Sequence, residues 1–328
     1  MKIGVIGSGS WGTALTKILT DNGHEIIWCV RSEKLAHHIQ SRHHNPKYLS
    51  SIYFSTDRLK LTTQSEEVFQ SADKIILAVP SAFVIDYIQP AIPYFNRQLT
   101  IVSAVKGLVP EKHTLLNQWL VEMGLREDQY VAVMGPCHAE EVAGEKLSYL
   151  TFAGKDEARR NEVASAFKTP FINTVLSNDV NGVQYAAVLK NVYALGTGIA
   201  HGLGYGDNFQ SVLIANAAGE MKKFLQAVSP NSSANYAASV YLGDLLVTCY
   251  SLFSRNRAFG NMIGKGYSVE AAKLSMQMVA EGYPAAKSMR QINEELYSSL
   301  PIAQTVFEIL WEGKDPLVAF EKLESALF

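Results

Sequence analysis

The 328-residue sequence has few cysteines, almost no net charge and no long uninterrupted hydrophobic run. Its three cysteines, Cys29, Cys137 and Cys249, form neither a C-x-x-C motif nor an even disulfide set. This is typical of a reducing compartment, and we expect the cytoplasm. A formal net charge of −2 supplies no basic surface for nucleic acid or for an anionic membrane. Any bound phosphate therefore needs a local site.

Neither secretion nor a membrane span is expected. The apolar stretch at residues 183–200 is interrupted by Lys190 and Asn191, whereas a membrane-spanning helix needs about 20 predominantly apolar residues in succession. The first apolar run starts at Lys2, so we expect no signal peptide. With 48% hydrophobic residues, the chain is long and apolar enough for a large core in two domains.

The first half of the sequence alternates β-rich and helical segments, which predicts a doubly wound, mostly parallel sheet in an α/β fold. Strands are predicted at residues 2–6, 24–30, 74–79, 99–104, 130–134, 147–152 and 171–175. Amphipathic spacing predicts helices at residues 113–123 and 156–167, and the Thr-Gln-Ser-Glu segment at 63–66 predicts a capping box.

From about residue 178 the β-branched runs give way to Ala, Leu, Met, Lys and Glu at helical spacing, as in residues 209–228 and 281–296. We expect a dinucleotide-binding Rossmann domain at residues 1–178 and an all-helical substrate-binding domain at residues 179–328. No glycine-rich or proline-rich spacer separates them. The domains should therefore pack closely and leave a cleft for substrate.

A complete G-x-G-x-x-G motif, formed by Gly7, Gly9 and Gly12, follows the first predicted strand and opens a helix predicted at residues 13–20. Gly7 allows a tight turn, Gly9 lets backbone amides approach phosphate oxygens, and Gly12 lets the helix pack close to the strand. In this context the motif predicts a dinucleotide pyrophosphate site. A loop that only connects strand and helix is the weaker alternative.

The nature of the dinucleotide depends on Arg31, which follows the second predicted strand, where NAD-preferring folds place an acidic residue. Paired N–H donors of an arginine suit the 2′-phosphate of NADPH better than a bare hydroxyl. We expect NADPH as the preferred cofactor, with NADH as the second choice. The alternative is that Arg31 is an exposed loop residue and that Glu33 binds the ribose.

Two lysines lie in apolar surroundings. Lys106 follows the predicted strand at residues 99–104, at the sheet edge where open α/β folds bind ligands. Lys190 lies in an almost wholly apolar helical segment, where an unpaired ammonium is costly. A lysine whose pKa is drawn toward neutrality can exchange a proton with a carbonyl or alcohol oxygen. It is an equally open alternative that Lys190 reaches the surface or pairs with a carboxylate such as Asp179 or Glu220.

An anion site is indicated by the Ser-Arg-Asn-Arg segment at residues 254–257. If a helix begins near Ser254, its free amides and Arg255 can hold a phosphate together. Asp244, in an otherwise apolar segment, can hold a hydroxyl or orient a lysine. The alternatives are a solvated basic turn and an N-cap aspartate, respectively.

A metal site is not expected. His138 and Glu141 follow the predicted strand at residues 130–134 and suggest a pair of ligands. No third ligand stands at a suitable spacing.

These segments together resemble the bacterial type of the NAD(P)-dependent glycerol-3-phosphate dehydrogenase family. The resemblance covers almost the whole chain through GSGSWGTA at 7–14, VKGL at 105–108, GP at 135–136, LKNV at 189–192, LGD at 242–244, TC at 248–249, SRNR at 254–257 and EGY at 281–283. It implies an N-terminal Rossmann domain, a C-terminal helical domain and the reversible reduction of dihydroxyacetone phosphate to sn-glycerol 3-phosphate, the start of phospholipid backbone synthesis. The partner it implies is a small phosphorylated substrate. The sequence does not fix the oligomeric state, and a homodimer is one candidate.

The resemblance also implies roles for individual residues. Lys190 would donate the proton to the ketone oxygen in reduction and accept it in oxidation, while Lys106 would polarise that oxygen and contact both ligands. Further substrate contacts are implied for Gly135, Cys137, Asp244, Ser254, Arg255 and Asn256. Further cofactor contacts are implied for Ser10, Trp11, Arg31, Ala139, Arg255, Val279 and Glu281.

The chain departs from the family pattern in two places. Cys137 stands where Ser or Thr is usual, so a strong hydroxyl donor becomes a weak thiol donor. Pro284-Ala285-Ala286 stands where a threonine is usual, which removes a hydroxyl near the cofactor loop. Neither departure changes the two lysines or Arg255, and we expect activity to be retained.

Other functions remain open at this point. One is a different reductase of the same architecture, acting on a β-hydroxy acid or on ketopantoate, although the segment at residues 254–257 favours a phosphorylated substrate. Another is a protein that binds NADPH without catalysis. A lysine that forms a Schiff base is a third, which the dinucleotide motif disfavours.

Overall fold

The computed structural model describes residues 1–230, 233–276 and 280–328. The chain divides into two compact units, which are described separately. Unit 1 comprises Met1–Val105 and Thr114–Val180, and unit 2 comprises Lys106–His113 and Asn181–Phe328.

Unit 1 is built on one eight-stranded sheet. Its strands are β1 (Lys2–Ile6), β2 (Glu25–Cys29), β3 (Leu59–Thr62), β4 (Lys74–Leu77), β5 (Thr100–Ser103), β6 (Tyr130–Met134), β7 (Ser148–Gly154) and β8 (Ile172–Ser177). They lie in the order β3-β2-β1-β4-β5-β6-β7-β8, and every neighbouring pair is parallel except β6 and β7. The predicted mostly parallel α/β sheet is therefore confirmed.

Seven α-helices accompany this sheet: α1 (Ser10–Asp21), α2 (Glu33–Arg42), α3 (Ser65–Ser71), α4 (Val84–Ile88), α5 (Leu116–Glu122), α6 (Ala139–Ala143) and α7 (Glu157–Phe167). Short 3₁₀ turns occur at Ser81–Phe83, Gln89–Tyr94 and Glu127–Gln129. Central strands such as β1 and β6 are almost wholly buried, which explains their continuous apolar runs.

The local predictions for this unit omit one strand and include a capping box that is wrong. Strand β3 was not predicted, because four residues carry too little pattern and the strand is held by its parallel pairing with β2. The capping box at residues 63–66 does not form, because α3 has Gln64 at its N-cap and no side-chain capping bond. Instead, the Gln64 N–H donates to Oγ1 of Thr62 at 3.1 Å, and the helix begins one residue later.

Unit 2 is helical, as predicted, and no strand occurs among its described residues. Its helices are α8 (Val180–Gly202, whose first residue belongs to unit 1), α9 (Asp207–Val228), α10 (Asp244–Tyr250), α11 (Arg255–Gly264), α12 (Val269–Ser275), α13 (Gly282–Leu296), α14 (Pro301–Trp311) and α15 (Pro316–Glu324), with a π-helical turn at Ser239–Gly243 before α10. Within the three described ranges, no helix is both long and apolar enough to cross a membrane.

Helices α8 and α11 approach each other so closely that their backbones touch at glycines. A Cβ on Gly260 of α11 would lie 2.1 Å from the carbonyl oxygen of Leu195, and one on Gly198 of α8 would lie 2.2 Å from that of Arg257. Any larger residue would force the helices apart. This contact fixes how α8, which carries Lys190, crosses α11, which begins at Arg255.

Candidate functional site

The glycine loop, defined as residues 7–12, has the three glycines where the backbone requires them. Gly7 has φ +118°, and a Cβ there would lie 2.4 Å from the carbonyl oxygen of Ala78. A Cβ on Gly12 would lie 2.2 Å from the carbonyl oxygen of Gly7, so α1 starts in contact with the loop. Nothing lies within 4 Å of the position that a Cβ on Gly9 would take. The loop therefore leaves open space at the residue predicted to face a pyrophosphate.

The N-terminus of α1 fits an anion in this open space. Gly9 is the N-cap residue and offers no side-chain acceptor to the first N–H groups of α1. Ser10 and Trp11, both predicted cofactor contacts, form the first turn of this helix. Uncapped N–H groups together with the helix dipole favour a phosphate. The residues present in unit 1 thus fit a dinucleotide.

Arg31 is exposed and directly precedes Ser32, the N-cap residue of α2. The hydroxyl of Ser32 accepts from the Leu35 N–H at 3.3 Å. The carboxylate of Glu33, the alternative ribose ligand, accepts from Oγ1 of Thr63 at 2.6 Å. Of the two candidate ribose ligands after β2, Glu33 is therefore hydrogen-bonded to another loop of unit 1.

Gly135, Cys137 and Ala139 follow β6, also in unit 1. Gly135 has φ +133°, and a Cβ on it would lie 2.7 Å from the carbonyl oxygen of Tyr149, so the turn itself requires glycine. The buried thiol of Cys137 donates to the carbonyl oxygen of Gly135 at 3.0 Å. Ala139 is the first residue of α6. The predicted ligand contacts of these three residues stay predictions.

In unit 2 the two buried charges at the predicted site meet directly. The ammonium of Lys190, on α8, donates to Oδ1 of Asp244, the first residue of α10, and the two form an ion pair. Both side chains are buried. The alternative that Lys190 pairs with a carboxylate is therefore confirmed, and that carboxylate belongs to Asp244. Because Gly243 is the N-cap residue of α10, the reading of Asp244 as an N-cap is wrong.

The second carboxylate oxygen of Asp244 has a different environment. Oδ2 is buried and accepts no hydrogen bond from any residue in the described part of the chain. A buried acceptor without a donor is costly, so a ligand that supplies a hydroxyl there is favoured. The contact with Lys190 confirms that Asp244 orients a lysine, one of its two predicted roles, and its hold on a hydroxyl stays a prediction.

Two asparagine side-chain amides connect the segments of unit 2 that carry the other candidate site residues. Nδ2 of Asn256 donates to Oδ1 of Asn191 at 2.9 Å, and Oδ1 of Asn256 accepts from the Gly282 N–H at 2.9 Å. Nδ2 of Asn191 in turn donates to the carbonyl oxygens of Lys106 at 3.3 Å and Ala187 at 3.1 Å. These amides hold the backbone at Lys106 to α8, α11 and α13. A contact of Asn256 with substrate would use the second N–H of its amide.

A helix does begin near Ser254, which is the N-cap residue of α11, and the Ser254 hydroxyl accepts from the Arg257 N–H at 3.3 Å. Arg255 is the first residue of that helix and lies at its N-terminus. A guanidinium and a helix N-terminus are thus combined at this point of unit 2. Glu281 is the N-cap residue of α13. Val279, the remaining predicted cofactor contact, lies outside the described residues.

Sequence analysis missed the roles of two buried amides. Asn191 entered the sequence analysis as an interruption of an apolar stretch and as part of the LKNV motif, without a role of its own, and Asn45, in unit 1, did not enter it. Asn191 lies in an apolar helical segment, and this signal can reveal a buried polar residue. Asn45 lies between His44 and Pro46, and its sequence neighbours do not indicate burial. No group of three or more His, Cys, Asp or Glu side chains that could hold a metal occurs in the ranges that the structure describes.

Known proteins are similar to this chain in sequence and in fold. The family models for the N-terminus and the C-terminus of NAD-dependent glycerol-3-phosphate dehydrogenase match residues 2–160 and 179–321. The NAD(P)+ glycerol-3-phosphate dehydrogenase of Bacillus subtilis strain 168 is 34% identical over 326 residues, which cover 98% of this chain and 93% of that protein.

Two solved structures named glycerol-3-phosphate dehydrogenase superpose on the chain. The one from Coxiella burnetii is 26% identical with a TM-score of 0.91 and covers 98% of both chains. The one from Saccharomyces cerevisiae is also 26% identical, with a TM-score of 0.83, and covers 97% of this chain and 98% of that one. With both family models matched and a relative above 30% identity over the full length, the chain belongs to the NAD-dependent glycerol-3-phosphate dehydrogenase family, a family of nicotinamide-dependent oxidoreductases.

Proposed function

We propose that this protein reduces dihydroxyacetone phosphate to sn-glycerol 3-phosphate, catalyses the reverse oxidation, and so supplies the glycerophospholipid backbone. The observation that carries the proposal is the buried Lys190–Asp244 ion pair of unit 2. A charged lysine is retained in an apolar helix because a carboxylate compensates it. In a family of ketone reductases, a buried ammonium of this kind is suited to proton transfer.

Proton transfer follows from this arrangement. A bound nicotinamide supplies the two electrons and the hydrogen that reduce the ketone carbon. Lys190 donates a proton to the ketone oxygen, which becomes the hydroxyl of the product, and the lysine regains its proton from solvent. Asp244 orients the ammonium through Oδ1, and its Oδ2 accepts from a hydroxyl of the substrate. In the oxidation the same groups act in reverse.

Charge stabilisation is the second requirement of the reaction. Lys106, whose backbone is held by the amide of Asn191, supplies a second positive charge to the oxygen on which negative charge develops. Arg255 and the N-terminus of α11 bind the phosphate of the substrate. A phosphorylated ketone therefore finds a partner for each of its polar groups among the residues of unit 2.

A Schiff base at Lys190 is disfavoured by the ion pair that Lys190 forms with Asp244. Imine formation requires the free amine as nucleophile, whereas Lys190 donates to a carboxylate that stabilises the ammonium. Its role in proton transfer needs the protonated form in the direction of reduction.

NADPH is proposed as the preferred cofactor. Support comes from the exposed guanidinium of Arg31 at the end of β2 and from the engagement of Glu33 with Thr63. An arginine binds a 2′-phosphate through paired N–H donors, whereas a bare ribose hydroxyl gains little from it. NADH remains the second cofactor.

The proposal is tested by a steady-state assay of dihydroxyacetone phosphate with NADPH and NADH in turn, with identification of the product. We expect sn-glycerol 3-phosphate from both cofactors and the lower KM for NADPH. Arg31→Ala should raise the KM for NADPH by about tenfold or more and leave that for NADH unchanged. Arg42→Ala, at the far end of α2, is the control and should change neither KM. Equal NADPH constants for wild type and Arg31→Ala would refute the assignment of the 2′-phosphate.

We also propose that the protein is located in the cytoplasm and forms a homodimer. All three cysteines are buried and none of them forms a disulfide, which supports a reducing compartment. Cell fractionation tests the compartment, and analytical ultracentrifugation decides between a monomer and a homodimer.

A further inference from the structure

We propose that Asn45 is a positioning residue for the cofactor, because its buried side-chain amide holds the glycine loop in the conformation that binds a pyrophosphate. The inference rests on the proposed function, since it places a dinucleotide at this loop. Asn45 lies just after α2, 37 residues beyond Ser8, and all of its contacts are within unit 1.

The amide of Asn45 uses every hydrogen-bonding position that it has. The side chain is 0% exposed. Nδ2 donates to the carbonyl oxygen of Ser8 at 3.1 Å and to Oγ1 of Thr13 at 2.9 Å. Oδ1 accepts from the N–H groups of Lys47 at 3.1 Å and Tyr48 at 3.2 Å. A carbonyl can only accept and a backbone N–H can only donate, so these partners fix the orientation of the amide.

The contact with Ser8 sets the direction of the next N–H group. A trans peptide is planar, with its C=O and N–H pointing to opposite sides. Because Asn45 holds the carbonyl oxygen of Ser8 toward the protein interior, the N–H of Gly9 points away from Asn45. Nothing lies within 4 Å of the position that a Cβ on Gly9 would take. The Gly9 N–H is thereby available to an anion at the loop.

Asn45 acts between two other fixed points of the loop. Nε1 of Trp28 donates to the carbonyl oxygen of Gly7 at 2.8 Å. The carbonyl oxygen of Gly9 accepts from the Thr13 N–H at 2.9 Å, at the start of α1. Three successive carbonyl groups are therefore held by three different donors. Trp28 belongs to β2 and Thr13 to α1, whereas Asn45, the donor to Ser8, belongs to neither element.

The link to Thr13 joins the loop to the first turn of α1. One amide group holds both the Ser8 carbonyl and the Thr13 hydroxyl, so the loop and the helix N-terminus keep a fixed relative position. Preorganisation of this kind raises affinity because ligand binding then requires no ordering of the loop. Loss of the amide should therefore weaken cofactor binding more than it affects turnover with saturating cofactor.

The test is a titration of wild type, Asn45→Ala and Asn45→Asp with NADPH, followed by its fluorescence, together with kcat at saturating NADPH. Asp keeps acceptors for Lys47 and Tyr48 but has no donor for Ser8, so both variants should bind NADPH about tenfold more weakly or worse. Their kcat should stay within about twofold of wild type.

A matched control distinguishes positioning from general destabilisation. The amide of Asn22, at the other end of α1, donates to the carbonyl oxygens of Ala166 at 2.8 Å and Lys168 at 3.3 Å. Asn22→Ala removes comparable hydrogen bonds from the same unit and should leave the Kd for NADPH unchanged. Thermal unfolding of each variant shows whether the compared proteins are folded.

The outcomes separate this inference from the proposed function. If wild type binds neither NADPH nor NADH, the proposed function fails. If wild type binds NADPH and both Asn45 variants bind it equally well, the inference on Asn45 is overturned and the proposed function stands. Should the Asn45 variants not fold, Thr13→Val tests the inference instead. It removes the hydroxyl that accepts from the Asn45 amide and nearly keeps the shape of the Thr13 side chain. It should weaken NADPH binding by about threefold, and wild-type affinity would overturn the inference.

Discussion

The ammonium of Lys190 donates directly to Oδ1 of Asp244, with the two side chains only 5% and 2% exposed. Removing one partner of a buried pair leaves an uncompensated charge and typically costs about 3–5 kcal/mol of stability. Replacing both partners with apolar residues of similar volume is often neutral. The effects of this pair on stability and on chemistry can therefore be separated by mutation.

Lys190→Met should lower the free energy of unfolding by about 3–5 kcal/mol, because Asp244 remains buried without its partner. It should also lower kcat by about 10² to 10⁴, since the proton donor is lost. In the double variant Lys190→Met/Asp244→Leu, stability should return toward wild type while turnover stays lost. Urea unfolding and NADPH oxidation with dihydroxyacetone phosphate measure the two effects.

Cofactor affinity is the control for this series. The glycine loop belongs to unit 1 and is unchanged in these variants, so the Kd for NADPH should stay within about twofold of wild type. A Lys190→Met protein that keeps more than about a tenth of wild-type kcat would contradict the proton-transfer role of Lys190.

The contact between α8 and α11 predicts an unusual effect of a glycine substitution. In an exposed helix, Gly→Ala stabilises by up to about 1 kcal/mol. Gly260→Ala should instead destabilise by about 1–3 kcal/mol, because its Cβ would lie 2.1 Å from the carbonyl oxygen of Leu195. The matched control is Gly219→Ala on α9, where nothing lies within 4 Å of the added Cβ. Chemical denaturation should give opposite signs for the two, and equal stabilisation would refute the close helix contact.

Glu220 gives unit 2 a pH-dependent stability. Its buried carboxylate accepts from the N–H groups of Ile302 at 2.6 Å and Ala303 at 3.3 Å, at the start of α14. Burial raises the pKa of Glu220 from its ordinary value of 4.5 to about 7, although the two backbone N–H groups oppose the shift. Because the folded protein then holds the proton more tightly than the unfolded chain, this group's contribution to stability falls as pH rises from 4.5 through 7.

The comparison of wild type with Glu220→Gln isolates this effect. Between pH 5.5 and pH 8 the stability of wild type should fall relative to the variant by about 2 kcal/mol. Urea unfolding at several pH values measures the difference. Wild-type and variant stabilities that change in parallel with pH would show that Glu220 does not titrate in this range.

Local sequence patterns predicted the features that depend on neighbouring residues. The turn at Gly7, the helix start considered near Ser254 and the starts of most strands depend on backbone geometry over a few residues, and local sequence patterns indicate that geometry. The prediction of helix 113–123 overran the observed start of α5 at Leu116, because His113 adopts a left-handed φ of 50° that the sequence did not indicate.

Contacts between segments that are distant in the chain could not be predicted from the sequence. The partner of Lys190 is 54 residues away, and three carboxylates were comparable candidates until the fold selected Asp244. Asn45 illustrates the same limit, since its amide reaches Ser8 only when the segment after α2 returns to the loop. Strand β3 was missed for this reason as well, because it depends on its pairing with β2.

The phosphate site predicts a selective effect of Arg255. Arg255→Ala should raise the KM for dihydroxyacetone phosphate by about tenfold to a hundredfold, because a charged hydrogen bond to phosphate is lost. At saturating NADPH, activity with unphosphorylated dihydroxyacetone should be unchanged, since that substrate has no phosphate to bind. Lys265→Ala, at the C-cap of α11, is the matched control and should leave both substrates unaffected.

The most direct measurement is the ratio of kcat/KM for dihydroxyacetone phosphate to that for dihydroxyacetone, with NADPH as cofactor and wild-type protein. Both ketones present the same carbonyl to Lys190, and they differ in the phosphate assigned to Arg255. We predict a ratio on the order of 10³ or more, with sn-glycerol 3-phosphate as the product. A ratio near one, or no reduction of dihydroxyacetone phosphate by a protein that binds NADPH, would contradict the account.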